Sequence, residues 1–143
     1  MKQRYLQSII LKDLAKKMVF LAGPRQVGKT TLAQEIVSGM GGGEYFLWDN
    51  SQDRKRMLQA EWPVGKATLI FDELHKYRKW KQWIKGEYDK NKDRLHFLVT
   101  GSARLDVYRW GGDSLQGRYH HYRLHPFSLS ESHSPQPVVL RPF

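Results

Sequence analysis

The chain has 143 residues, no cysteine and a formal net charge of +10. That length supports one hydrophobic core and excludes two ordinary domains, and the lack of thiols excludes a disulfide framework and points to a reducing, cytoplasmic setting. Near the start the only apolar run is Ile9-Ile10-Leu11, too short for a signal peptide or a membrane span, so no membrane association is expected, while the basic balance suits a polyanionic partner such as nucleic acid.

Residues 5–17 carry Leu6, Ile9, Ile10 and Leu14 at helical spacing, with Lys16 and Lys17 in the last turn, and predict an amphipathic helix. The run M-V-F-L-A at 18–22 reads as a strand buried on both faces. It breaks at once into G-P-R-Q-V-G-K-T-T, a Gly-x-x-x-x-Gly-Lys-Thr phosphate loop between a strand and a helix. The glycines let successive amides point into one concavity, Lys29 brings a point charge to the outer phosphates, and Thr30 brings a hydroxyl to a magnesium ion. The expected nucleotide-contacting residues are Gly23, Pro24, Arg25, Gln26, Val27, Gly28, Lys29, Thr30 and Thr31. Leu32, Ala33, Ile36 and Val37 share one side of the following helix, whose positive end then lies under the phosphates.

Residues 38–43 form a glycine-rich stop and loop, 45–48 an aromatic strand, and Asp49, Asn50 or Ser51 the cap of a helix over 52–59. The next strand, A-T-L-I-F-D-E at 67–73, ends in two carboxylates and has the form of a Walker B element. Asp72 holds the metal through its water shell, and Glu73 takes a proton from an attacking water. From 75 to 94 a helix is expected in which Tyr77, Trp80, Trp83, Ile84 and Tyr88 alternate with lysines and arginines. Two readings stand there: an aromatic stripe packed on the sheet, or aromatics and cations that take up nucleic acid. A fourth strand over 96–102 ends in small polar residues, and a fifth over 119–125 follows a glycine-rich loop. His120, His121, His125 and His133 do not form a convincing metal set, because adjacent strand residues face opposite sides. Residues 132–143, with three prolines, read as a tail.

With these motifs in place, the chain resembles a bacterial and archaeal family of AAA-type ATPases whose signature Gly-Pro-Arg-Gln-Val-Gly-Lys-Thr-Thr stands intact at 23–31. Phe71-Asp72-Glu73, Thr100-Gly101-Ser102, Ser114-Leu115-Gln116-Gly117-Arg118 and Leu124-His125-Pro126-Phe127-Ser128-Leu129 match as well. The resemblance implies a three-layer α/β/α core with a parallel five-stranded sheet of order 5-1-4-3-2, binding ATP and magnesium. It implies that Lys29 and Thr30 hold phosphates and metal, that Asp72 holds the metal, that Glu73 activates water, and that Ser102 acts as a sensor. Arg118 would be an arginine finger reaching a neighbour's nucleotide in a homo-oligomer. The expected division is an ATPase core over 1–131 and a tail over 132–143, without lid or further domains. The expected function is magnesium-dependent ATP hydrolysis; the alternative is a nucleotide-switched module that binds nucleic acid or a protein with little turnover.

Overall fold

The computed structural model describes residues 2–23, 29–101, 119–123 and 138–140. In chain order the elements are α1 (Lys2–Leu14), β1 (Met18–Ala22), α2 (Lys29–Gly39), β2 (Gly43–Leu47), α3 (Ser51–Leu58), β3 (Ala67–Asp72), a 3-10 turn (Leu74–Lys76), α4 (Trp80–Asn91), β4 (Leu95–Gly101), β5 (Tyr119–Arg123) and β6 (Val138–Leu140). The strands form one sheet of order β2-β3-β4-β1-β5-β6. The pairs from β2 to β5 are parallel, so the expected five-stranded order stands. One addition lies in the stretch expected as a tail: Val138–Leu140 pair antiparallel with His121, Tyr122 and Arg123. Three residues carry no periodicity of their own, and partner backbone decides the strand.

Alternation along the strands sorts the core into two layers. Val19, Leu21, Ile70 and Leu98 face α1 and α2, meeting Ile10, Leu14, Leu32, Ala33 and Ile36 in an aliphatic layer. Phe20, Phe46, Phe71 and Phe97 face the other way and meet Trp80, Ile84 and Tyr88 of α4. Each such side chain contributes roughly 1.5–3 kcal/mol when fully buried, so both faces of the sheet hold their helices in place.

The 75–94 segment is not one helix. Glu73, on a left-handed backbone (φ 61°, ψ 28°), leads into the 3-10 turn, and the extended Tyr77 separates that turn from α4. Gly43 opens β2 rather than ending the preceding loop. A Cβ there would lie 1.9 Å from the Thr68 carbonyl oxygen of β3, so close strand pairing requires glycine.

Candidate functional site

Parallel strands leave their carboxyl ends on one edge of the sheet, and ligand chemistry in such sheets gathers there. At that edge the Gly23 amide donates to the Gly101 carbonyl at 3.2 Å, tying the end of β1 to the end of β4. The chain re-enters described structure at Lys29, the first residue of α2, so Lys29 and Thr30 stand in the first turn with its outward-facing amides. Pro24, Arg25, Gln26, Val27 and Gly28 of the expected loop lie outside the described residues, as do Ser102 and Arg118.

Asp72, last in β3 and only 6% exposed, is the centre of the edge. Its Oδ2 accepts a hydrogen bond from the Thr30 hydroxyl at 3.2 Å, so the phosphate-loop helix and the acidic strand end converge as expected. Its Oδ1 accepts from the Thr100 hydroxyl at 2.8 Å, across the β3–β4 pair that places the two residues opposite each other. A third donor is the Tyr45 hydroxyl of β2, which also bonds Oδ2. Burial, and then the bond to Asp72, hold the Tyr45 phenol well above its ordinary pKa, so it remains a protonated donor. Neither Tyr45 nor Thr100 was among the expected site residues. The signal for Thr100 was the polar end of β4, where Ser102 was favoured instead; Tyr45 gave none, because only strand register carries it to Asp72.

Glu73 follows in a different setting. Its amide donates to the Thr100 carbonyl at 2.9 Å, which prolongs the β3–β4 ladder by one bond. Its left-handed backbone is costly for a side chain that is not glycine, by about 1–3 kcal/mol, and such residues cluster at functional sites. The carboxylate lies 3.7 Å from His75 Nε2 and 3.6 Å from Lys76 Nζ. Lys76 is held in turn by Asp49 at 2.7 Å, and this contact, first among the causes, raises its pKa. Asp49 therefore pairs with Lys76, while the cap of α3 is Asn50, whose side chain accepts from the Gln52 and Asp53 amides at 2.9 and 3.0 Å.

Beyond Glu73 a cleft of about 620 Å³ is lined by His75, Arg78, Lys79, Trp80, Lys81 and Gln82. None of the described lining residues is acidic, which favours an anion. The aromatics of this segment are otherwise engaged. Trp80 meets Phe20 edge-on at 5.7 Å, Trp83 meets Phe71 at 5.4 Å and Tyr88 meets Phe97 at 5.8 Å. Tyr77 stacks on Trp48 at 4.6 Å. Packing on the sheet thus accounts for the stripe, while Arg78, Lys79, Lys90 and Lys92 are exposed and Arg94 is held on the Pro63 and Gly65 carbonyls.

His120 and His121 take opposite faces of β5: His121 is buried, and His120 lies 3.9 Å from Asp13 of α1. His125 and His133 lie outside the described residues. No helix among the described residues is long and apolar enough to cross a membrane.

No curated protein sequence matches the chain. A family model described as an AAA domain matches residues 15–133, a span that takes in Asp72 at the end of β3, Glu73 just beyond it, the first turn of α2 and the strands that carry them to one edge. A match over that much of the sequence, on a sheet of the corresponding strand order, makes the chain a member of the AAA-domain family, a nucleotide-binding, ATPase-like module.

Proposed function

We propose that the chain binds ATP with magnesium and hydrolyses its terminal phosphoryl bond. The observation that carries this reading is the hydrogen bond from Thr30 at the start of α2 to Asp72 at the end of β3. It sets a hydroxyl and a carboxylate side by side, and an oxygen-only donor pair of this kind fits a small hard cation. Bound there, magnesium supplies charge stabilisation to the phosphate oxygens.

The remaining work falls to the chain's own groups. Amides of the 23–30 loop and the Lys29 ammonium receive the phosphates, and Thr30 and Asp72 hold the cation and its water. Glu73 accepts the proton of the attacking water as the water oxygen bonds to the terminal phosphorus, and ADP leaves. Ser102 senses the terminal phosphate, and Arg118 reaches the nucleotide of a neighbouring copy. Support for these last two roles comes from their matching positions in the family pattern.

Calorimetric titration of ATP and GTP, with and without magnesium, tests the proposal. Magnesium-dependent ATP binding is expected in the wild-type chain. Lys29→Ala is expected to weaken it by well over tenfold, the loss of a charged contact of about 1.5–3 kcal/mol. Equal binding by both proteins removes the phosphate-loop assignment.

A second reading, a nucleotide-switched surface for nucleic acid with little turnover, draws on the cleft bordered by Arg78, Lys79 and Lys81. Single-stranded DNA titrated at two salt concentrations checks it: affinity must fall as salt rises, because phosphate contacts release counterions. A flat response, or no binding, ends this reading.

A further inference from the structure

An ionised carboxylate offers about four lone-pair sites on its two oxygens. At Asp72 one site on Oδ1 is taken by Thr100, and the two on Oδ2 are taken by Thr30 and Tyr45. Oδ2, the oxygen beside Thr30, is therefore saturated by hydroxyl donors. These two donors are not equivalent toward an arriving cation. Thr30 can keep its proton on Asp72 while its own oxygen turns a lone pair to the metal. Tyr45 reaches Oδ2 from β2, opposite Ile70 in the β2–β3 pair, and its neutral phenol oxygen, with a lone pair delocalised into the ring, is a poorer metal ligand than the Thr30 alcohol, so its contribution to Asp72 is its proton. A water coordinated to a hard cation is also a proton donor, and one lone pair cannot accept from both.

We propose that Tyr45 is a positioning residue that takes the place of a metal-bound water on Asp72, bonding Oδ2 while no cation is bound and yielding that oxygen when magnesium and nucleotide enter. The inference rests on the reading of Asp72 as the carboxylate that receives the metal's water shell. Its physical motive is the burial of Asp72: a carboxylate this enclosed, left short of a donor, destabilises the free protein. Tyr45 removes that cost in the free state, and the free-state bond must then be broken on loading.

The cycle has a definite sign. Tyr45→Phe deletes a hydrogen bond present only in the metal-free state, so it lowers the stability of the free protein and raises its affinity for magnesium. Thr100→Val deletes a bond to the other oxygen, so it lowers stability without tightening the metal. The experiment is a calorimetric magnesium titration of each protein in the presence of a non-hydrolysable ATP analogue, with thermal unfolding of the nucleotide-free chain alongside.

For Tyr45→Phe the half-saturating magnesium concentration is expected to fall roughly three- to tenfold, as loss of one competing hydrogen bond implies, together with a lower Tm. An unchanged or higher magnesium requirement overturns the proposal. Should the variant not fold, the assigned ring-carbon resonance of Tyr45 in the wild-type chain decides. It must move on addition of magnesium with the analogue, and a stationary resonance overturns the proposal equally. A wild-type chain that binds the analogue with no magnesium dependence defeats the magnesium–ATP reading itself, and this inference with it.

Discussion

Asp72 and Glu73 are adjacent in sequence, yet the fold gives them unlike surroundings. Asp72 follows Ile70 onto the α2 side of the sheet, where three uncharged hydroxyls from α2, β2 and β4 converge on it. Glu73 stands one residue past the strand, on a left-handed backbone, with His75 and Lys76 as its neighbours and Asp49 behind Lys76. The difference lies in what each setting leaves available. The three hydroxyls orient the Asp72 carboxylate without bringing a compensating positive charge of their own, which suits a group that is to receive a cation. Glu73 has a lysine ammonium at 3.6 Å, beyond hydrogen-bonding distance, so among the described residues its oxygens are open to a water.

The sharpest way to break this contrast is on the reaction itself. Glu73→Gln keeps shape and size but cannot accept a proton. ATP turnover is expected to fall by about 10²–10⁴-fold, the usual contribution of a positioned base, with nucleotide affinity and unfolding midpoint little changed. Phosphate release measured beside a hydrolysing wild-type chain checks it, and undiminished release removes Glu73 as the base. Asp72→Ala acts the other way, on stability and metal. Three hydroxyls lose their acceptor, and stability is expected to drop by about 1–3 kcal/mol in urea unfolding, with the magnesium dependence of nucleotide binding gone. If both substitutions cost the same stability, the two settings are not as different as their partners suggest.

The aromatic segment after Glu73 shows where sequence patterning stops. Its helical spacing of Trp80, Ile84 and Tyr88 was plain, but spacing alone does not distinguish a stripe that faces a sheet from one that faces a ligand. The phenylalanines decide, since Phe20, Phe71 and Phe97 come from three strands and assemble into a surface only in the folded sheet. The break before α4 was equally hidden, because it falls at Tyr77, whose extended backbone no residue type in that stretch announces. Tyr45 was missed for the same kind of reason. Nothing local separates a strand tyrosine that fills a core from one whose hydroxyl reaches a carboxylate two strand positions away on the neighbouring strand.

What the sequence determined unaided is whatever depends on short-range chemistry. The glycines, lysine and threonine of the phosphate loop, the apolar run ending in Asp72 and Glu73, and the helical face of α2 each act within one turn or one strand, and their residue types carry the information. What only tertiary structure decided is whatever depends on register and on which faces meet. The three donors on Asp72, the pairing of Asp49 with Lys76, the burial of the aromatic stripe and the added β6 all bring together residues far apart in the chain. Such contacts are fixed by the packing of one sheet against its helices, a free energy shared among many side chains and written in no single stretch of them.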